Sequence, residues 1–277
     1  MDHASKVLSA IRAAARVAIL PRFRALAADE ISAKAKFDDL VTLADSEAEA
    51  MVIAALAQHW PEAQVLGEEG IAADPRQRAA MAGTGWKVIV DPVDGTWNFS
   101  KGLSLFGVIA AVAQSGRLDY GLLYDPLHDD WIEARAGGPA RLVGANGRAR
   151  DLRTSTERDP ARMFGYVPLS EYPADLRRAA ALAGLGYRRV TSLMCSCHEY
   201  RMLAQGHVDF VLTGSEPAPW DHAAGVLITK SAGGVARFLD GADYDLGREK
   251  GVLLSASCDE VWGQVAAQYR ALDVDFG

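Results

Sequence analysis

Residues Val88-Ile89-Val90-Asp91-Pro92-Val93-Asp94-Gly95-Thr96 place two carboxylates at the end of an apolar, β-branched run, followed at once by a glycine and a hydroxyl. Asp91 and Asp94 stand three apart, so a tight turn through Pro92 can aim both at one point and leave the Val93 carbonyl free as a third oxygen donor. Hard oxygen donors at that spacing suit magnesium, and a helix starting near Gly95 would turn its free N–H groups toward an anion held by the same ions. The same dipeptides are ordinary turn formers, so the run does not decide the matter alone. Two further acidic positions add to it: Gly67-Glu68-Glu69-Gly70 after the strand-like Val65-Leu66, and Trp220-Asp221 at the opening of a predicted helix. Taken singly, a solvated turn and a plain helix cap account for these.

The elements that must position these groups are legible in the periodicity. Val7, Leu8, Ile11, Ala14, Ala15, Ala18 and Ile19 recur on one helix face, which Pro21 closes or bends. A second amphipathic helix carries Ala48, Met51, Val52, Ala55 and Leu56, with Asp45 or Ser46 placed to cap it. Runs at 86–90, 105–113, 118–124 and 131–134 predict strands of an antiparallel sheet, and Asn146-Gly147 marks a hairpin. Beyond residue 153 the pattern alternates, with strands near 163–167, 187–190, 208–212 and 235–239 and helices near 174–185, 198–204 and 222–232. Alternation of that kind is the signature of an α/β fold, here following an α+β first half. The expected division is 1–153 and 154–277, with acidic residues from both parts meeting in one site.

A chain of 277 residues, 49% hydrophobic and 23% charged, can bury a sizeable core. Its formal charge of −7 argues against a nucleic-acid partner, because phosphate-backbone binding draws on clustered Lys and Arg. A small anionic substrate remains compatible where metal ions supply local positive charge. Cys195, Cys197 and Cys258 form no even disulfide framework and fit a reducing compartment. Lys6, Arg12 and Arg16 interrupt the first helix, so it does not read as a signal peptide, and no apolar run reaches membrane-spanning length. A cytoplasmic protein without a membrane partner is the expectation.

Four motifs follow in order: Lys36 with Leu40-Val41-Thr42-Leu43-Ala44-Asp45, then Gly67-Glu68-Glu69, then Asp91-Pro92-Val93-Asp94-Gly95-Thr96-Trp97-Asn98-Phe99, and last Trp220-Asp221-His222-Ala223-Ala224-Gly225 with Gly233-Gly234. Together they resemble the inositol monophosphatase family of metal-dependent, lithium-sensitive phosphatases. The resemblance spans nearly the whole chain and implies the layered αβαβα sandwich shared with fructose-1,6-bisphosphatase. It also implies Mg2+-dependent hydrolysis of a small phosphomonoester, with two or three ions per site, and a homodimer. Glu68, Asp91 and the Val93 carbonyl would hold one ion, and Asp91, Asp94 and Asp221 another. Thr96 with Asp45 would orient the attacking water, the Gly95 and Thr96 amides would bind the phosphate, and Lys36 would lie at the edge of the site. The chemistry accounts for these residue types, since paired metals bridged by a carboxylate activate water, neutralise phosphoryl charge and stabilise the leaving alkoxide without a covalent enzyme intermediate.

Two segments depart from the family pattern. Ser192 to Tyr200 replaces a Gly-Ser/Thr-Ala stretch that contacts the inositol ring, and Gly214 stands where a Glu helps bind inositol. The pocket wall would then be made by Cys197, His198, Glu216 and His222, with Glu216 suited to an amino- or nitrogen-bearing leaving group. Inositol 1-phosphate leads as substrate by family frequency, and histidinol phosphate, a fructose bisphosphate or a 3′-phosphoadenosine nucleotide are alternatives. A non-catalytic, metal-binding regulator is the reading from another class, and the complete carboxylate set weighs against it. Cys195-x-Cys197-His198 lacks a second pair at metal-binding spacing, and Met194 and Met202 read as core.

Overall fold

The computed structural model describes residues 2–34 and 39–272, which leaves Lys36 outside the described residues. Helix α1 (His3–Ala14) runs on through a π turn (Ala15–Ile19) and ends in a 3-10 turn at Pro21 (Leu20–Arg22). A short hairpin of β1 (Ile31–Ala33) and β2 (Leu40–Thr42) leads into α2 (Leu43–His59). Next come β3 (Ala63–Gly67), α3 (Glu68–Ala73), β4 (Trp86–Asp94), α4 (Thr96–Ser100), β5 (Gly107–Gln114) and β6 (Arg117–Asp125). β7 (Asp130–Arg135), β8 (Arg141–Val143) and β9 (Ala149–Asp151) complete a seven-stranded sheet in sequential order, parallel at β3–β4 and antiparallel elsewhere. Asn146-Gly147 does form the β8–β9 turn.

The second stretch runs β10 (Phe164–Tyr166), α5 (Ala174–Gly184), β11 (Arg189–Thr191), α6 (Ser196–Ala204) and β12 (Phe210–Leu212). It continues with α7 (Pro219–Ser231), β13 (Val235–Phe238), β14 (Leu253–Ala256) and α8 (Asp259–Gln268). Its sheet has the order β11-β10-β12-β14-β13, parallel across β11, β10 and β12 and antiparallel at β14.

Side-chain alternation along the central strands explains how these elements stack. Val88 and Val90 of β4, with Val108, Ala110 and Val112 of β5, face α1 and α2 in one buried cluster. Ile89, Ile109, Ala111 and Leu123 face the other way, onto Tyr200, Leu203, Ala224 and Ile228 of α6 and α7. Both faces of the first sheet are therefore covered, which is why its strands read as near-continuous apolar runs rather than alternating ones. Phe210, Leu212, Leu254 and Ala256 of the second sheet pack beneath Ala180, Ala183, Val261 and Val265 of α5 and α8. The layers are helices, sheet, helices, sheet, helices: the αβαβα sandwich that the resemblance implied.

The middle helix layer leaves no slack. A Cβ built on Gly225 of α7 would come within 2.2 Å of the Tyr200 ring on α6, and Tyr200 is fully buried. Gly225→Ala should therefore force the two helices apart and destabilise the protein by about 1–3 kcal/mol, read as a lower urea midpoint at unchanged m-value. An unaltered midpoint would show that the interface yields at no cost.

Candidate active site at the end of β4

Asp91 and Asp94 reach one face by a device other than the expected turn. Asp91 pairs with Ile109 and Asp94 with Gly107, so β4 carries one residue more than β5 between these partners. In a regular strand residues three apart point to opposite faces, and the β-bulge at Pro92-Val93 cancels that inversion. Pro92 is tolerated there because a bulge has no ladder hydrogen bond for it to break. Asp91 Oδ1 accepts the Val93 N–H at 3.0 Å, which fixes the bulge from within. Gly95, in the left-handed region at φ 85°, then turns the chain into α4.

Glu68 begins α3, and that helix start is held from α2. Glu49, buried in α2, accepts the Glu69 N–H at 2.9 Å and the Gly70 N–H at 2.8 Å. Lys34 bridges Glu68 Oε1 at 2.6 Å and Glu69 Oε1 at 2.7 Å. Asp221 sits in the first turn of α7, which starts at Pro219. One carboxylate oxygen each from Glu68, Asp91 and Asp221 lies within 4.8 Å of the others, a spacing a single metal ion can bridge. Burial first, and then the charge of Glu68 and Asp94, push both Asp91 and Asp221 well above the usual carboxylate range. Crowded oxygen-only donors that the fold leaves electrostatically unfavourable as anions fit a hard divalent cation such as Mg2+.

Asp94 lies outside that trio and has another partner. Its Oδ1 accepts the Ser196 N–H at 3.1 Å, and its Oδ2 accepts the Cys197 N–H and the Cys195 thiol. A residue of β4 thus caps α6, taking the orphan amides that the helix itself cannot satisfy. Burial lifts the Asp94 carboxyl to about 6 against these donors.

Asp45 and Thr96 meet as expected, although Asp45 does not cap α2. The cap is Thr42, whose Oγ1 accepts the Ala44 N–H at 3.2 Å, while Asp45 Oδ2 accepts the Thr42 N–H at 2.9 Å. This reciprocal pairing leaves Asp45 Oδ1 for the Thr96 hydroxyl at 3.1 Å. The same hydroxyl lies 2.9 Å from the Val93 carbonyl, and with one proton it can donate to only one of them at a time. Burial raises the Asp45 carboxyl to about 6, opposed by Thr42.

These groups open onto a cavity of about 340 Å³, lined by Glu68, Asp91, Asp94, Gly95, Thr96 and Asp221 together with residues of 168–171, 192–199 and 211–216. Glu216 and His222 are in its wall; burial takes the His222 imidazole down to about 3, so it is neutral. Cys197 and His198 are not in the wall. Helix α6 starts at Ser196, two residues before the expected start, which turns Cys197 onto the Val108 and Tyr124 carbonyls and leaves His198 Nε2 3.0 Å from the Phe106 carbonyl. Ser196 and Glu199, one helical turn apart, take the cavity face instead. Met194, expected in the core, is 47% exposed at the cavity rim with φ 53°. Asn98 holds that rim by donating to the Leu193 carbonyl at 2.8 Å.

A five-layered α/β sandwich with a carboxylate-lined, metal-competent cleft between its sheets is the class that fold and site define. The sequence profile of the inositol monophosphatase family matches residues 2–271. The Nus factor SuhB of Escherichia coli K12 is 31% identical over 250 residues, covering 86% of each chain. A fructose-1,6-bisphosphatase/inositol-1-monophosphatase of Thermotoga maritima is 28% identical over 215 residues, 78% of this chain and 77% of that one. Among solved structures, a Thermotoga maritima IMPase superposes with TM-score 0.81 at 23% identity over 98% of each chain. An IMPase/NADP phosphatase complexed with Mg2+ and phosphate gives 0.77 at 20% identity, over 95% of this chain and 94% of that one. The chain belongs to the inositol monophosphatase family.

Glu199 carries a consequence for stability. It is buried, accepts the Leu193 N–H at 2.7 Å and the Ser192 hydroxyl at 3.0 Å, and burial drives its carboxyl from 4.5 to about 8. The folded chain therefore holds this proton more tightly than the unfolded one, and the resulting stability is full below about pH 4.5 and lost as pH rises through about 8. Glu199→Gln keeps an acceptor for both donors but cannot ionise, so the decline in urea midpoint from about pH 5 to about pH 9 should be shallower than in the parent. Identical slopes would place the Glu199 carboxyl near its ordinary pKa.

Proposed function

We propose that this protein hydrolyses a small phosphomonoester by attack of water, with Mg2+ held by Glu68, Asp91 and Asp221 and with the Val93 carbonyl and Asp94 adjoining them. The observation that carries the reading is the convergence of the three carboxylates on the cavity that also receives the Thr96 hydroxyl. Bound Mg2+ would supply charge neutralisation at the phosphoryl group and a lowered pKa for the attacking water.

The chain's own residues supply direction and proton transfer. With its proton donated to Asp45 Oδ1, the Thr96 oxygen presents a lone pair to the cavity, where it orients water and accepts from it. Asp45 is kept in place by two donations from Thr42, so the acceptor does not depend on the substrate for its geometry. Gly95 and Thr96 line the cavity and would present backbone amides to the phosphate. No side-chain nucleophile is called for, since Cys195, the thiol in the wall, is pushed well above its ordinary pKa, by burial first and by Asp94 after it.

The name of the 31% identical relative, a Nus factor, supports a second reading in which the fold serves a regulatory contact. Turnover separates the two. Chelation should abolish hydrolysis of p-nitrophenyl phosphate and Mg2+ should restore it; undiminished activity in chelator would overturn the metal assignment, and no activity with Mg2+ would favour the regulatory reading. Thr96→Ala should lower kcat on the order of 100-fold with little change in KM, the pattern of an interaction made in the transition state. Trapping a phosphothreonine at Thr96 would overturn its assignment to water.

A further inference from the structure

Met194 is held in a conformation that its residue type disfavours and at a place that its side chain disfavours. Its φ of 53° lies in the left-handed region, where an L side chain crowds its own backbone, and the residue is 47% exposed at the cavity rim. Among the described residues the other non-glycines with positive φ are Arg24, Ser115 and Asp129. Ser115 and Asp129 stand in the turns that join β5 to β6 and β6 to β7, where a tight hairpin calls for that conformation. Met194 closes no hairpin, and a side chain so exposed gains little from packing.

Hydrogen bonds clamp this backbone from both sides. The Met194 N–H donates to Ser192 Oγ at 3.0 Å, and the Ser192 hydroxyl donates in turn to Glu199 Oε1 at 3.0 Å. Asn98 Nδ2 reaches the Met194 carbonyl at 3.3 Å while it donates to the Leu193 carbonyl at 2.8 Å. Strain of this kind persists only where the surroundings over-determine it, and it concentrates where a side chain meets a ligand. The helix that supplies Asn98 also supplies Trp97, which lines the same cavity. An indole and a thioether thus border one opening, and neither carries a charge. A polyol finds in them almost no hydrogen-bonding partner. A flat aromatic ring gains from both, since it stacks on the indole and takes the polarizable sulfur against its edge.

We propose that Met194 and Trp97 are specificity-determining residues for the leaving group, and that they select phosphate esters whose alcohol carries a flat aromatic ring over esters of polyols. This rests on the phosphatase reading above, in which the phosphoryl group is held at the carboxylates and the alcohol extends along the wall.

The test compares kcat/KM with Mg2+ for 1-naphthyl phosphate and inositol 1-phosphate in the parent and in variants, so that the intrinsic reactivity of each ester cancels. Met194→Gly removes the thioether chain and the strain together. The urea midpoint should therefore hold or rise, while the ratio of 1-naphthyl phosphate to inositol 1-phosphate falls about tenfold, chiefly through KM. Trp97→Leu, which removes the stacking face, should lower the same ratio, and Met194→Leu, which keeps an apolar chain at the rim, should retain most of it. Equal loss on both esters would mean a merely structural role and overturn the proposal, as would unchanged ratios in Met194→Gly and Trp97→Leu. A second measurement needs no turnover: titration calorimetry with 1-naphthylphosphonate and Mg2+ should show binding about tenfold weaker to Met194→Gly than to the parent. A parent that binds the phosphonate with this dependence but hydrolyses neither ester would support the aromatic preference and overturn the phosphatase reading. Hydrolysis of both esters without the dependence would do the reverse.

Discussion

Negative charge crowded around Asp91 is the constraint to which the surrounding structure answers. Glu68, Asp94, Asp221 and Asp45 each raise its carboxyl, on top of the larger cost of burying it. Left to themselves, such groups would swing apart into water or pick up protons. The fold prevents the first by anchoring them to the backbone: Asp91 to the Val93 amide, Asp94 to the first amides of α6, and Asp45 to the Thr42 amide. Glu49 and Lys34 do the same for the α3 start that carries Glu68. Asp91 and Asp221 still stand well above the usual carboxylate range, by burial first and then by the charge of Glu68 and Asp94, and a bound cation would offset that charge without moving any of them.

Those anchors also join the two sheets. Asp94 ends a strand of the first sheet and caps α6, whose other faces pack toward the second. Asn98 ties α4 to the Leu193 and Met194 carbonyls, so the rim of the cavity cannot shift independently of the β4 bulge. Asp45 comes from α2 and meets Thr96 at the opposite edge. A displacement of one layer would therefore shift the Asp45–Thr96 pair, the carboxylates and the cavity wall together, which couples the geometry of the candidate site to the stability of the fold through a few hydrogen bonds.

The carboxylate cluster was legible in the sequence and the rest of the cavity wall much less so, and the difference is physical. Asp91, Asp94, Glu68 and Asp221 each occupy the end of a strand or the start of a helix, where apolar periodicity gives way to polar residues and the position can be read locally. Glu171 and Glu199 give no such signal. One sits on a short 3-10 turn, and the other became a wall residue only because α6 begins at Ser196, a boundary decided by a cap from β4 that is distant in the chain. The same start turned Cys197 and His198 away. The β4 bulge was equally hidden, since Asp91-Pro92 reads as a turn until the pairing with β5 shows the extra residue. Helix α8 and strand β14, which complete the second sheet and its cover, follow Gly251 with no helical or alternating run long enough to separate them from loop.

That asymmetry bears on how one scaffold can serve different substrates. The carboxylate cluster is built from a central strand and helix starts packed on two cores, where moving a carboxylate would disturb the β4–β5 register and the packing of α7 at once. The rest of the cavity wall is built from the segments 168–171, 192–199 and 211–216, which lie outside that strand. There the glycine at 214 leaves room for the Glu171 side chain, whose Oε2 would lie 2.5 Å from a Cβ at that position. On the phosphatase reading, phosphoryl chemistry would thus be tied to the fold, while the facing wall can change residue by residue without strain reaching the β4 bulge.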